Sequence, residues 1–196
     1  IMEVATPKAW AENPKKVLQF YNLRRQQLRT VKPNKAHFGI SELEDYFDVD
    51  VVTQNVDDLH ERAGSTKILH LHGELKKVRS SFNDNDIIDW EGDLNWGDRC
   101  RAGHQLRPHV VWFGEMVPML EPAAELFASA DILVIIGTSL QVYPAAGLIS
   151  HANNARIYYI DPHPQVNYEL RRFEHTIIDK RATEGVPELI KMLKSQ

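Results

Sequence analysis

Short apolar runs rich in β-branched residues alternate with helical patterns along most of the chain, and this alternation constrains the fold more than any other feature. Strands are predicted over 49–53, 67–71, 109–113, 131–136, 156–160 and 175–178. Nearly continuous apolar strands separated by helices are typical of a parallel sheet covered on both faces. We therefore predict an α/β fold with a Rossmann-like, doubly wound parallel sheet.

The N-terminal quarter predicts two helices. Asn13 before Pro14 indicates where the first begins, and Asn34 is the predicted N-cap of the second. The second helix carries apolar residues at spacings of four and three, at Ala36, Ile40, Leu43 and Phe47. We expect these four to form one buried stripe. Further helices are predicted over 57–63, 121–130, 145–153 and 186–193.

One polar stretch interrupts the alternation and predicts a small inserted lobe over 74–106. We expect this lobe to be held together by packing of its larger apolar side chains, namely Phe82, Ile87, Trp90 and Trp96. The rest of the chain is predicted to form a helical segment over 1–48 and a Rossmann-like core over 49–73 and 107–196. All three parts belong to a single predicted domain over 1–196.

Charge and composition exclude several classes of protein. The net charge of -4 argues against a nucleic-acid binder. The apolar run at 132–136 is too short to span a membrane. The chain opens without a basic head followed by an apolar stretch, so we expect a cytoplasmic protein, and we expect a monomer. A single cysteine cannot form an internal disulfide.

Polar or glycine-containing segments follow five of the predicted strands. They are QNVD at 54–57, HGE at 72–74, GE at 114–115, GTS at 137–139 and Asp161. Ligands of open parallel sheets bind beyond the carboxyl ends of the strands. Co-location of five such segments on one edge would therefore form a binding site.

Each segment also has a purely structural interpretation. Turn chemistry alone can produce the segment Gly137, Thr138 and Ser139, although the same residues suit a phosphate. Asn55 or Asp57 could cap a helix instead of binding a carboxamide. His72 could be a buried histidine with both nitrogens satisfied, or a general base at a strand end.

Together these segments resemble the sirtuins, the NAD-dependent protein-lysine deacylases. The resemblance rests on TQNVD at 53–57, HLHGE at 70–74, RPHVVWFGE at 107–115, GTSL at 137–140 and VYPAAG at 142–147. These motifs occur in the family's order. The segment FYNLRR at 20–25 is similar to the bacterial and mitochondrial class that prefers acidic acyl groups.

The resemblance implies an enzyme that cleaves the nicotinamide–ribose bond of NAD and transfers an acyl group from lysine to ADP-ribose. His72 matches the catalytic histidine, which takes a proton from the ribose hydroxyls. The implied NAD contacts are Gln54, Asn55, Val56, Asp57, Gly137, Thr138, Ser139, Asp161, Pro162, His163 and Ala182. The implied contacts to acylated-lysine proteins or peptides are Val111, Phe113, Gly114, Glu115 and Val142.

Tyr21 and Arg24 are the candidates for acyl selectivity. Residues three apart share a helix face, so a phenol and a guanidinium can converge on one carboxylate. The alternative is an aromatic core residue beside an unrelated solvated arginine. With the resemblance, the pair implies succinyl-, malonyl- or glutaryl-lysine as substrate in addition to acetyl-lysine.

Two departures from the family pattern affect what the resemblance implies. Most members hold a structural zinc with four cysteines in the small lobe, whereas Ser80 stands at the first position here and Cys100 is the single cysteine. We expect no zinc and no other metal site. The family's glycine-rich first βα unit would precede Ile1, and we expect that residues before Ile1 supply it.

Two other functions remain open at this point. One is a catalytically idle module of the same fold that binds NAD or ADP-ribose. The other is a hydride-transferring dehydrogenase, which is the weaker alternative because no Gly-x-Gly-x-x-Gly turn follows any predicted strand.

Overall fold

Capping residues begin the N-terminal helices. The computed structural model of the protein describes residues 1–195. A helix that the sequence did not predict, α1 (Pro7–Glu12), comes first. The predicted helices follow as α2 (Pro14–Leu28) and α3 (Lys35–Leu43). Asn13 and Asn34 cap them, because each side-chain oxygen accepts hydrogen bonds from backbone N–H groups of the first turn.

The predicted apolar stripe of the second helix is only partly correct. Ala36 and Leu43 are buried, and Ile40 packs against the same core. Phe47 does not belong to the stripe, since α3 ends at Leu43 and Phe47 is 37% exposed. The apolar spacing continues past the end of α3, but the chain forms turns there. In turns a helical period no longer determines which side chains are buried.

The remaining elements follow in sequence order. They are β1 (Val51–Thr53), α4 (Leu59–Ala63), β2 (Ile68–His70), β3 (Gly73–Ser80), β4 (Ile87–Asp89), β5 (Leu106–Val110), α5 (Leu120–Ser129), β6 (Ile132–Ile136), β7 (Arg156–Ile160), β8 (His175–Ile178) and α6 (Ala182–Lys194). Short 3₁₀ helices cover Ala145–His151 and Leu170–Arg172. The first of these replaces the α-helix predicted over 145–153.

The described residues form three sheets in a mixed α/β architecture. β1 pairs with β2, β6 pairs with β7 and β7 with β8, and β3 lies between β4 and β5. The β6–β7–β8 sheet is parallel, whereas β5 runs antiparallel to β3. The prediction that 109–113 is a strand of the parallel sheet is therefore wrong. Accordingly, the prediction that all five polar segments follow strands of one parallel sheet is also wrong.

Contacts within the chain divide it into two compact units. Unit 1 contains residues 1–32, 53–58 and 70–117, and unit 2 contains the remainder. In unit 2 the β6–β7–β8 sheet is buried on both faces. Tyr158 and Ile160 pack with α3 and α6, whereas Ile157 and Tyr159 pack with a cluster that includes Leu170. This alternation confirms the predicted doubly covered parallel sheet.

Unit 1 has two apolar clusters. One gathers Tyr21, Val110 and Trp112 with residues of α1 and α2. The other joins α2 to the segment predicted as a small lobe, and its fully buried members are Val78, Leu94 and Leu106.

The prediction of which side chains hold that lobe together is mostly wrong. Phe82 is 80% exposed, and Ile87 and Trp96 are exposed as well. Of the four, Trp90 packs against the cluster. Aliphatic residues spaced along β3 and the loop before β5 form the core instead. Among residues 1–195, no helix has the length and apolar character needed to cross a membrane.

Candidate functional site

The predicted site residues lie in both units. Unit 1 contains Tyr21, Arg24, Gln54, Asn55, Val56, Asp57, His72, Val111, Phe113, Gly114 and Glu115. Unit 2 contains Gly137, Thr138, Ser139, Val142, Asp161, Pro162, His163 and Ala182.

The segment after β1 is an ordered turn. The Asn55 N–H donates to Thr53 Oγ1 at 3.0 Å, and the Val56 carbonyl accepts from the Leu75 N–H at 2.7 Å. Helix α4 begins only at Leu59, so Asn55 lies outside it. The Asn55 side chain is exposed, and its carboxamide makes no hydrogen bond to any residue in 1–195. The turn can therefore offer an amide to a ligand.

The His72 side chain is held in a defined tautomer. Its Nδ1 lies 3.2 Å from the Gln54 carbonyl oxygen. A carbonyl oxygen can only accept, so Nδ1 carries the proton and donates it. In a neutral imidazole this leaves a lone pair on Nε2, which has no hydrogen-bond partner within the described chain. His72 is half-buried, and it can take a proton at Nε2.

Gly73 fixes the backbone next to His72. Its φ is +80°, and a Cβ there would lie 2.1 Å from the His109 carbonyl oxygen. The His72 carbonyl accepts from the Val111 N–H at 2.9 Å. Only glycine permits this approach, so the position of His72 depends on it.

Tyr21 and Arg24 lie on α2 in different environments. Tyr21 is buried, and its hydroxyl oxygen accepts from Trp112 Nε1 at 3.0 Å. Arg24 is exposed, with its guanidinium carbon 5.1 Å from the centre of the Phe20 ring. Across the described residues Arg24 makes no ion pair. A phenol and an unpaired guanidinium on one helix can bind a carboxylate.

Glu115 has its carboxylate directed into unit 1. The carboxylate accepts from Arg107 Nη1 at 2.6 Å, from Arg79 Nη2 at 3.4 Å and from the Trp112 N–H at 2.8 Å. Burial raises the pKa of Glu115, but the hydrogen bonds from Arg107 and Trp112 outweigh it, so the pKa is lowered overall. Glu115 is thus a charged anchor for residues 111–115.

Most backbone donors of that segment are already used. The N–H groups of Val111, Trp112, Phe113 and Glu115 all donate to acceptors within unit 1. Gly114, with a φ of +90°, keeps a free N–H within the described residues, and Phe113 is half exposed. Within the described residues, the Gly114 N–H is therefore the donor of this segment that remains available to a ligand.

In unit 2 the carboxyl end of β6 forms an open turn. Gly137 has a φ of +60°, and no atom lies within 4 Å of where its Cβ would be. The Thr138 carbonyl accepts from the Tyr159 hydroxyl at 2.7 Å, which holds the turn against β7. An exposed glycine turn after a parallel strand fits the approach of a phosphate group.

The carboxyl end of β7 is a second turn. Asp161 Oδ1 accepts from the His163 N–H at 2.8 Å, and Pro162 lies between them. Ala182 begins α6 and packs partly against the core of unit 2. Val142 follows the β6 turn and is 44% exposed. These positions are compatible with contacts to a nucleoside and to an apolar side chain.

A hydroxyl stands where the resemblance places the first thiolate. Cys100 is buried, and its Sγ donates to Ser80 Oγ at 3.7 Å. Ser80 Oγ also accepts from the N–H groups of Phe82 and Asn83. Cys100 is the single cysteine of the chain, so the chain has no cluster of cysteines that could bind zinc.

Sequence reasoning missed three residues that connect Tyr21 with the charge cluster at Glu115. Trp112 contacts it directly, Arg107 stacks on the Trp112 ring, and Arg79 completes the charge cluster at Glu115. Arg107 and Trp112 lie in the RPHVVWFGE motif, so the sequence carried a signal for both residues. No local pattern in the sequence indicated Arg79.

Comparison with known proteins supports one family. A family model described as the Sir2 family matches residues 2–144. A protein from Helicobacter pylori (strain ATCC 700392 / 26695), named NAD-dependent protein deacylase, is 61% identical over 163 residues, which are 83% of this chain and 71% of that protein. A protein of the same name from Bacteroides thetaiotaomicron is 50% identical over 200 residues, 98% of this chain and 85% of that protein.

Solved structures agree with this result. A Sir2 homologue in complex with NAD has a TM-score of 0.88 at 36% identity, covering 99% of this chain and 77% of that one. An ADP-ribose complex of a mutant Sir2 homologue also has a TM-score of 0.88 at 36% identity, covering 98% of this chain and 79% of that one.

Proposed function

The chain belongs to the Sir2 family and uses NAD to deacylate proteins, and on that premise we propose that its preferred substrates are lysines with short acyl groups that end in a carboxylate, above all succinyl and malonyl. The observation that carries this preference is the pair formed by buried Tyr21 and unpaired Arg24 on α2. We further propose that the protein is a cytoplasmic monomer.

Most of the residues that would hold NAD follow strands: residues 54–57 follow β1, 137–139 follow β6 and 161–163 follow β7. In this proposal the segment 54–57 receives the carboxamide end, the segment 137–139 contacts the phosphates and ribose, and Asp161, Pro162, His163 and Ala182 contact the adenosine. The open space at Gly137 and the free carboxamide of Asn55 support this arrangement. When bound, NAD supplies a ribose carbon that becomes electrophilic as nicotinamide leaves.

His72 acts as the general base in this proposal. The Gln54 carbonyl holds the proton on Nδ1, so Nε2 is the basic atom. A hydroxyl placed within hydrogen-bond distance of Nε2 can transfer its proton there. The Gly73 backbone keeps the ring in position, since it fixes the chain at φ +80° beside His109. His72 is thus held in one tautomer by contacts within unit 1.

The substrate would lie along residues 111–115. Gly114 offers its N–H to the substrate backbone, so binding needs an extended peptide and makes little demand on peptide sequence. The half-exposed Phe113 would contact the aliphatic part of the acyl-lysine. Glu115 contributes by anchoring the segment through Arg107.

Selectivity for an acidic acyl group follows from the donors on α2. The Tyr21 hydroxyl and the Arg24 guanidinium are both hydrogen-bond donors, and a carboxylate accepts from several donors at once. An acetyl group has no carboxylate and would use neither. The expected difference is therefore in the binding of the acyl group, not in the proton transfer at His72.

One assay separates this function from its alternatives. We expect nicotinamide release from NAD when a succinyl-lysine peptide is added to the full-length protein. A catalytically idle module would bind NAD or ADP-ribose without releasing nicotinamide. Reduction of NAD, followed by absorbance, would instead revive the dehydrogenase alternative.

Replacing Arg24 with methionine tests the acyl preference. Loss of a charge-assisted hydrogen bond costs about 1.5–3 kcal/mol, so Arg24→Met should lower kcat/KM for desuccinylation about 10- to 100-fold. Deacetylation should change less than about threefold. The matched control is Arg29→Met, which removes an exposed cation paired with Asp93 at 3.7 Å. An equal loss on both substrates would assign Arg24 to the fold.

A further inference from the structure

The hydrogen bond between Trp112 and Tyr21 has only one possible direction. The two atoms, Trp112 Nε1 and Tyr21 Oη, are 3.0 Å apart, and both side chains are buried. An indole nitrogen can donate but cannot accept, so the phenol oxygen is the acceptor. The Tyr21 hydroxyl proton must then be donated in another direction. No acceptor for it occurs among residues 1–195.

Trp112 is itself fixed by contacts that leave it little freedom. The Arg107 guanidinium carbon lies 3.4 Å from the centre of its ring, and the Trp10 ring packs at 5.7 Å. Its backbone N–H donates to Glu115, and Glu115 in turn pairs with Arg107. The side chain is 2% exposed. The indole is therefore the rigid partner, and the Tyr21 hydroxyl orients to suit it.

From these contacts we propose that Trp112 is a positioning residue for acyl selectivity: its indole N–H occupies a lone pair of the Tyr21 hydroxyl and so directs the hydroxyl proton towards the carboxylate of the acyl group. This inference rests on the proposed function of Tyr21 and Arg24. Trp112 makes no contact with the substrate in this account. The cluster of Arg107 and Glu115 supports the same task by holding the Trp112 ring.

The electrostatics of Tyr21 agree with a donor role. Burial raises the pKa of Tyr21, and this effect exceeds the opposing influence of the Trp112 hydrogen bond. The phenol therefore remains protonated across the pH range of an enzyme assay. A carboxylate that accepts its proton also polarises the hydroxyl, which strengthens the bond from Trp112.

A double-mutant cycle tests the proposal. Trp112→Phe removes the indole N–H and keeps an aromatic ring. We expect the ratio of kcat/KM for desuccinylation to kcat/KM for deacetylation to fall about three- to tenfold, with the loss in KM for the succinylated peptide. In a Tyr21→Phe background the same substitution should leave the ratio unchanged. The matched control is Trp90→Phe, which removes an indole hydrogen bond to the Asp93 carbonyl.

The outcomes distinguish this inference from the proposed function. An equal fall in the ratio in both backgrounds, or no fall in the native background, would overturn the role of Trp112. If Arg24→Met also leaves the ratio unchanged, the acyl preference itself fails. If Arg24→Met lowers the ratio and Trp112→Phe does not, only the positioning role fails.

Nuclear magnetic resonance of the native protein provides a test that needs no variant at position 112. Tyr21→Phe should displace one indole N–H resonance, and that resonance is assigned to Trp112. A succinyl-lysine peptide should move the same resonance downfield in the native protein, whereas an acetyl-lysine peptide should not. Equal displacement by both peptides, or none by either, would contradict the proposal.

Discussion

Replacing Glu115 with glutamine perturbs the charge cluster that anchors residues 111–115. The Glu115 carboxylate accepts from Arg107 at 2.6 Å and 3.1 Å, from Arg79 at 3.4 Å and from the Trp112 N–H at 2.8 Å. The Arg79 and Arg107 side chains are only 6% and 9% exposed. Glutamine keeps an acceptor for Trp112 but removes the negative charge. Two buried guanidinium groups then lose their shared partner.

The expected cost follows from this burial. Removing one partner of a buried ion pair destabilises a protein by about 3–5 kcal/mol. Glu115 is 18% exposed and Arg79 also pairs with Asp84 at 3.3 Å, so we expect the lower end of that range. With a urea dependence of about 2–3 kcal/mol per molar, the midpoint of unfolding should fall by about 1–1.5 M.

Tryptophan fluorescence is the appropriate assay, because all four tryptophans lie in unit 1 together with Glu115. The control is Glu91→Gln, which removes a carboxylate that is 88% exposed and lies 3.6 Å from Lys76. It should change the free energy of unfolding by less than about 0.5 kcal/mol. A midpoint for Glu115→Gln equal to that of the control would show that the Glu115 charge does not stabilise unit 1.

The same pair of proteins gives a pH test. The pKa of Glu115 is lowered in the folded state, so its contribution to stability is present above the ordinary value of 4.5 and is lost as the pH falls through the folded pKa. The difference in stability between native protein and Glu115→Gln should therefore shrink below pH 4.5. A difference that stays constant would mean that the charge of Glu115 does not matter.

Two further predictions concern the strand segments beside His72. Gly73→Ala should destabilise unit 1 by at least about 2 kcal/mol, because its Cβ would meet the His109 carbonyl; Gly92→Ala, with open space around it, should cost less than about 0.5 kcal/mol. Burial lowers the pKa of His109, so stability should fall as the pH drops below 6.5, by at most about 1.4 kcal/mol per pH unit. His109→Gln should flatten that dependence, whereas His151→Gln should not.

Simple observations would contradict these two predictions. A Gly73→Ala protein with the urea midpoint of Gly92→Ala would show that the His109 carbonyl can move away. An unchanged pH dependence in His109→Gln would show that other groups cause the loss of stability below pH 6.5.

Local signals in the sequence predicted much of the fold. The caps at Asn13 and Asn34 mark helix starts, since a short polar side chain satisfies free N–H groups wherever it precedes a helix. Residues 156–160 and 175–178 are strands as predicted. Short, largely apolar runs of four or five residues are typical of buried strands in a domain of this size.

Strand pairing could not be predicted in the same way. The run over 109–113 is as apolar as the others, yet β5 ends at Val110 and pairs antiparallel with β3. An apolar run indicates burial but not the direction of the neighbouring strand. The partner strand β3 carries charged residues, which made its segment resemble an irregular lobe. The domain division over 1–48, 74–106 and the core stays a prediction.

In the candidate site, too, the sequence indicated contacts between neighbouring motifs but not contacts between distant segments. His72, Gly73 and Gln54 were expected near each other because their motifs follow neighbouring strands, and the hydrogen bond from His72 to Gln54 fits that expectation. The contact between Tyr21 and Trp112 joins residues 91 positions apart. Neither residue has a local pattern that indicates the other, since only tertiary packing brings them together.

The most direct test of the account is turnover by a His72→Ala protein. We expect nicotinamide release with a succinyl-lysine peptide to fall by a factor of about 10²–10⁴, because the base at Nε2 is lost, while NAD affinity stays within about threefold. His104→Ala, which removes a histidine stacked on Phe82, should retain full turnover. Unchanged nicotinamide release by His72→Ala would remove His72 from the mechanism and contradict the account.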